Sequence, residues 1–517
     1  MKIEIKNKYL IFPVNTLSTK KVLTFKMEEK TVYQIDIKLD NCNPDFYAYI
    51  DVTRFIGQTL NVYVAPEMKL EFRESDEIDI DNLYHEPIRP LIHFTTKNGW
   101  INDPNGLIYI DGIYHMFYQH NPAEPNWGNM HWGHAESRDL IHWEQKPTAL
   151  FPDERGSMFS GSAIMDDKNL LGKNVVDNKA ALLFYTTTTP FCQHMSYSND
   201  NFKTIKQYMD KPVVPHIKEG NRDPKVVFCD ELDCYIMALY LDEDVYCILS
   251  SDDLINWKEL QQIHLVGDNE CPDIFPLYDD DGNRKWIIIG AHDKYLVGNF
   301  ENGKFIAEQS VLSLHYGISG YAGQSFSNLP NNRIVRMVWD RWGLPVFNYN
   351  GQMGIPMEMS LSKYDGCYYL QANPVEEIKC IYKDSKTFND VSVAPEEKVN
   401  EKLDCTAQFL RFKGEISEIG IMTVSIFGKS IGFDFANNKM NIADCTAPIS
   451  LTRKGLDITI IVDRFSMEVF ADGGKIFMSC LNYDTVCDFN IPYLTIQADS
   501  EITLENVEIN SLESIWG

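Results

Sequence analysis

The stretch "SRDLIHW" at residues 137–143 returns as "SDDLINW" at residues 251–257, identical at Ser, Asp, Leu, Ile and Trp, and "SNDNFKT" from Ser198 falls between the two. Successive copies start 61 and 53 residues apart. A repeat of roughly 50–60 residues in strand-rich sequence is the mark of a β-propeller, whose four-stranded blades each need a neighbour to bury their faces.

The surroundings of the repeat support strands. In "LIYIDGIYHMFYQH" (107–120) an Asp111-Gly112 pair separates two runs of Ile, Tyr and Phe, a strong signal for a tight hairpin. "ALLFYTTTT" (181–189), "KVVFCDELDCYIMALYLD" (225–242) and "RKWIIIGAHD" (284–293) continue the pattern, and helical periodicity is scarce. The expected class is all-β. Residues 1–86 read as a small β-rich unit ending in the acidic stretch "ESDEIDIDN" (74–82). Residues 87–375 hold the repeat, and 376–517 resume alternation in "ITIIVDRFSMEVFADGGKIF" (458–477), as expected of a β-sandwich.

At 517 residues the chain has length for about three such units. Asp and Glu outnumber Lys and Arg by 74 to 47, a net charge of -27 that repels phosphate backbones and anionic membranes, so nucleic acid and membrane partners are not expected. A neutral sugar meets no such barrier. The start, "MKIEIKNKYLIFPVNTLSTKK", has no apolar signal-peptide core, and the twelve Cys are scattered without a CxxC pair; both lead to the expectation of a cytoplasmic chain with reduced thiols.

Three carboxylates stand in short polar contexts about one or two repeats apart: Asp103 in "WINDPNG", Asp223 in "NRDPKV" and Glu270 in "NECPDIF". An Asp before Pro is by itself a turn residue. On successive blades, however, the three would meet at one end of the propeller axis, and a pair of carboxylates is the basic equipment for breaking a glycosidic bond. Metal chemistry is less favoured: His115, His120, His131 and His134 cluster in "HMFYQH" and "HWGH", but in strand and turn rather than on an HExxH helix, and no Cys stands nearby. No cofactor is implied.

The ordered motifs "HFTTKNGWINDPNG", "FYQHNP", "WGNMHWGH", "FSGSA", "RDPKV", "ECPDIF" and "YAGQSF" resemble those of glycoside hydrolase family 32, the β-fructosidases, over about residues 88–375. "VDRFSMEVFADGG" (462–474) is similar to the signature of that family's C-terminal sandwich, and residues 1–86 look like the extra N-terminal domain of some bacterial fructan hydrolases. The resemblance implies a five-bladed propeller followed by a sandwich, and a retaining exo-acting mechanism on terminal β-D-fructofuranosides, with fructan or fructooligosaccharide as the expected substrate. It assigns Asp103 as nucleophile, Glu270 as acid/base with a raised pKa, and Asp223 as transition-state stabiliser. Around the fructosyl unit it places Asn102, Gln119, Trp127, Phe159, Ser160 and, on the outer pocket, Trp339; Arg222, beside Asp223, is a binding candidate that can pair with a catalytic carboxylate and hold its orientation.

Two positions depart from the sucrose-cleaving pattern. His315, in "LHYGISG", replaces an Asp, and Met357 stands where Arg is common. Both shift the expectation from sucrose toward fructan. Invertase and fructosyltransferase activity are the alternatives, and a sugar-binding propeller without chemistry is a remoter one.

Overall fold

The computed structural model describes residues 1–218, 220–341, 348–395, 397–416, 420–449, 455–481 and 486–517, and among them the only helices are four short 3-10 turns. Five antiparallel sheets of four principal strands follow one another from Gly99 to Pro374. Their innermost strands are Gly99–Ile110, Met158–Met165, Arg222–Cys229, Asp273–Tyr278 and Gly320–Ser325, here blades 1 to 5. The Asp111-Gly112 turn joins the first two strands of blade 1, with both residues at positive φ (49° and 85°), as a two-residue primed turn requires.

The sequence repeat is one recurring corner, the turn between the third and fourth strands of blades 1, 2 and 3. In the first copy Asp139 Oδ1 accepts the N–H groups of Ile141 and His142, Leu140 adopts φ 66°, and Trp143 Nε1 donates to Leu140 O. Asp253, Leu254 and Trp257 reproduce each step in blade 3. In blade 2, Asp200 bonds Thr204 and Phe202 takes the positive φ, so the corner survives without the Trp. The Asp side chain supplies the bonds that a tight turn denies the backbone.

Blade 1 meets blade 5 at the ring's seam. There Tyr349–Asn350, from the segment between strands of blade 5, pairs in parallel with Gly99–Trp100, and Ile108 bridges Ser327. Beyond the propeller, two six-stranded antiparallel sheets pack as a sandwich. Its Phe409, Ile461, Phe470 and Phe477 share one continuous buried cluster with the outer faces of blades 1, 4 and 5. Residues 2–75 form a smaller sandwich of a four-stranded and a three-stranded sheet around its own core, into which Ala123 of blade 1 projects.

The charged residues of "VDRFSMEVFADGG" hold the two larger units together. Asp463, fully buried, accepts the N–H groups of Leu91 and Ile92 and the Nδ1 of His93 at 2.9–3.0 Å. Glu468 faces His93 Nε2 at 3.3 Å and accepts the N–H of Ile355 in blade 5 at 3.1 Å. Burial opposes a charge on His93, but hydrogen bonds to Asp463 and Glu468 overcome it and push its pKa up to about 10.

Candidate active site

The top of the propeller is where its inner strands are irregular. Register shifts interrupt them between Ile101 and Pro104 in blade 1, Phe159 and Gly161 in blade 2, Arg222 and Lys225 in blade 3, and Tyr321 and Gln324 in blade 5. A bulge turns a side chain out of the strict up-down alternation of a strand. Asp103, Ser160 and Asp223 lie within three of these shifts, and Tyr321 opens the fourth. Blade 4 achieves the same end just ahead of its strand, where Glu270 (φ 58°) and Cys271 (φ 39°) are left-handed, as is Asp223 (φ 63°). Such backbone is costly for residues with a Cβ and collects at functional sites.

The result is a pocket of about 250 Å³ on the axis. All ten residues singled out from the sequence line it: Asp103, Asp223 and Glu270 with Asn102, Gln119, Trp127, Phe159, Ser160, Arg222 and Trp339. Tyr321 is the eleventh, and it was not among those expectations although "YAGQSF" contains it; its signal was its place at the head of the blade 5 inner strand.

Each carboxylate has its own support. Ser160 Oγ donates to Asp103 Oδ2 at 2.6 Å, and Trp100 Nε1 holds Asn102 Oδ1 at 2.7 Å. The backbone N–H of Cys271 donates to Asp223 Oδ2 at 3.1 Å, and the Cys271 thiol lies 3.4 Å from that oxygen and 3.6 Å from Asp103 Oδ2. Arg222 Nη2 donates to Glu270 Oε1 at 2.5 Å, and the Tyr321 hydroxyl donates to Glu270 Oε2. Arg222 is itself fixed by the Gly220 carbonyl and by the face of Tyr240, 4.6 Å away.

These environments push the acids apart. Burial, with the charges of Asp103 and Glu270 added, lifts Asp223 to about 7 against the pull of Arg222. Burial also raises Asp103, opposed by the Ser160 bond. Glu270 moves the other way: burial alone would raise it, but the Tyr321 hydrogen bond and the Arg222 charge hold it below the ordinary carboxylate range. The expectation of a raised Glu270 pKa therefore fails, because its two partners, which come from blades 3 and 5, outweigh the effect of its burial.

The walls are aromatic and amide. Trp127, 60% exposed, stands edge-on to Phe159 at the mouth, and Trp100 and Tyr321 flank Trp339. Trp339 Nε1 is a buried donor with no partner among the described residues. Gln119 Nε2 donates to the Met158 carbonyl, which steadies the wall of blade 2.

The two substrate-preference positions lie elsewhere. His315 is buried against Phe477, its Nε2 accepting the N–H of Ser479, so it belongs to the contact with the sandwich. Met357 is buried in the large cluster of that same contact. Of the clustered histidines, His120 Nδ1 bonds the Trp100 carbonyl at 2.9 Å and His131 Nε2 meets the Tyr33 hydroxyl at 2.8 Å, while His115 and His134 stand 3.1 Å apart near Glu136.

Comparison with known proteins matches the propeller and the sandwich to one family. The family model "Glycosyl hydrolases family 32 N-terminal domain" matches residues 93–373, and "Glycosyl hydrolases family 32 C terminal" matches 383–511. A levanase of Bacillus subtilis is 30% identical over 84% of this chain and 72% of its own length. A fructan beta-fructosidase of Streptococcus mutans is 32% identical over 62% of the chain, which spans only 24% of that longer protein. An invertase of Schizosaccharomyces pombe is 34% identical over 50% of the chain and 49% of its own length. Among solved structures, the exo-inulinase of Aspergillus awamori superposes with TM-score 0.73 at 24% identity, over 84% of this chain and all of that one. With its propeller and its sandwich each matched in sequence, and the fold matched in space over 84% of its length, the chain belongs to the glycosyl hydrolases of family 32.

Proposed function

We propose that the chain is a retaining exo-β-fructosidase that removes terminal fructose from fructans or fructooligosaccharides. The observation that carries this reading is the convergence of Asp103, Asp223 and Glu270 on one small pocket with the Arg222 guanidinium beside them. A pocket of about 250 Å³ suits one sugar ring at a chain end better than the middle of a chain.

In the first step Asp103 Oδ attacks the anomeric C2 as the C2–O glycosidic bond breaks, and Glu270 gives its proton to the departing oxygen. In the second, water attacks C2, Glu270 takes the water's proton, and the ester bond to Asp103 breaks to release fructose. Esterification removes the charge of Asp103, which lowers the pKa of Glu270 and favours its role as base at that moment. The proton itself must first reach Glu270; a sugar hydroxyl that draws Tyr321 or Arg222 away would raise the Glu270 pKa toward the value an acid needs. Asp223 accepts hydrogen bonds from the ring hydroxyls as positive charge develops on the sugar. The free Trp339 N–H offers a donor to a sugar oxygen, and Trp127 with Phe159 covers the apolar face.

The preference for fructan is supported by the names of relatives, levanase, fructan beta-fructosidase and exo-inulinase, and no longer by His315 or Met357, which do not line the pocket. Sucrose cleavage is the second reading, favoured by the likeness to an invertase. Incubation with inulobiose, levan, inulin and sucrose, followed by measurement of free fructose, tests both. Fructose released singly from chain ends supports the proposal; no fructose from any of the four overturns it.

A further inference from the structure

The N-terminal sandwich does not hang free of the propeller. It sits on the segment between the second and third strands of blade 1: Asp36 and Asn129 exchange two hydrogen bonds at 2.8–2.9 Å, and the Tyr33 hydroxyl meets His131. Trp127, at the mouth of the active pocket, belongs to the same segment. Between the three-stranded sheet of this unit and the propeller runs a cleft of about 780 Å³. Tyr47 lies on its wall, 42% exposed, with the Arg73 guanidinium 4.6 Å from its ring centre. Asp79, Asp81, Glu86 and Asn348 line it as well.

We propose that this cleft is a second carbohydrate site, which holds a distal stretch of a fructan chain whose terminal unit occupies the catalytic pocket; the inference rests on the proposed activity. The chemistry is that of a sugar site: a ring stiffened by a stacked guanidinium offers a flat apolar face, and carboxylates and an amide accept from and donate to hydroxyls. The carboxylates and the chain's net charge of -27 disfavour an anionic occupant. One lining residue, Asn348, ties the cleft to the catalytic blade. Asn348 O accepts the N–H of Gly99 at 2.6 Å, and Gly99 lies four residues before Asp103, about 13 Å along a strand.

Tyr47→Ala and Arg73→Ala test the site, since both positions are on the surface and neither lines the catalytic pocket. On levan or inulin we expect KM to rise about fivefold, the size of one lost ring contact, with kcat unchanged. On inulobiose, too short to span the two sites, KM should stay as in the parent. Equal KM on polymer and disaccharide in parent and variants alike overturns the inference while leaving fructose release intact. Electrophoresis of Asp103→Asn through gels cast with levan or inulin gives a readout that needs no turnover. Retardation lost on adding Tyr47→Ala supports the site, and mobility unaffected by either polymer, or by the substitution, overturns it. Failure of the parent to release fructose from any substrate is a separate result, which removes the proposed activity instead.

Discussion

Two buried clusters in this molecule have nearly the same composition. The pocket gathers Asp103, Asp223 and Glu270 around Arg222; the contact between propeller and sandwich gathers Asp340, Asp463 and Glu468 around His93. Only the surroundings differ. At the contact, Asp463 takes three backbone N–H groups and His93, Glu468 takes the Ile355 N–H, and Asp340 takes Ser479 Oγ and Gln352 Nε2, so the oxygens are committed to the protein. In the pocket the Glu270 side chain is 34% exposed and the cluster opens on a cavity sized for a ligand. Three acids and a cation can thus be a rivet or a reaction centre, and access decides which.

Substitutions that remove the reactive groups should have the largest effect. Asp103→Asn and Glu270→Gln should each lower kcat for fructose release by about 10²–10⁴ or more while circular dichroism and the melting curve stay those of a folded protein. If the clusters were interchangeable in role, substitutions at the contact would do the same without unfolding. Asp463→Ala should instead act on stability: it strands a charged His93 in the interior and costs about 3–5 kcal/mol, read from denaturant unfolding. The sign against pH follows from the raised His93 pKa. The bond contributes fully below the unfolded value near 6.5 and is lost as pH rises through about 10, so the gap between parent and Asp463→Ala should narrow above that pH.

A smaller effect separates recognition from chemistry within the pocket. Trp339→Phe keeps the ring and removes the unpartnered N–H; KM should rise about three- to tenfold, the worth of one hydrogen bond, with kcat little changed. Asp223→Asn tests the electrostatic contrast directly. Because the folded pKa of Asp223, about 7, is above its unfolded value, the native state is favoured at low pH and loses that advantage as pH rises through 7. The variant should therefore melt at a higher temperature than the parent at pH 8, with the difference shrinking toward pH 4, even as activity falls. His315→Asp should change the ratio of sucrose to fructan turnover least of all, since the ring serves Ser479 and not the sugar.

The repeat at 137–143 and 251–257 carried the propeller because blades 1 and 3 build the same Asp-capped corner from the same residue types. Pocket residues were legible for a related reason: Asp103, Ser160 and Asp223 sit where strands bulge, and bulges leave short polar, Pro- and Gly-rich words in otherwise apolar strands. What stayed hidden was which partners meet between blades. The lowered Glu270 pKa depends on Arg222 and Tyr321, which lie 48 and 51 residues away in sequence, and the true station of His315 depends on Ser479, 164 residues on. A local pattern names the side chain that projects; it does not say what will be standing opposite.

The seam between blades 1 and 5 is joined by few strand pairings, yet Asp463 grips Leu91 and Ile92 on the approach to blade 1 while Glu468, five residues on, grips Ile355 in blade 5. The sandwich is in effect the clasp of an open hoop. Asp103 stands on one side of the opening and Tyr321 and Trp339 on the other, so the spacing across the sugar is set from behind by a unit that never touches it.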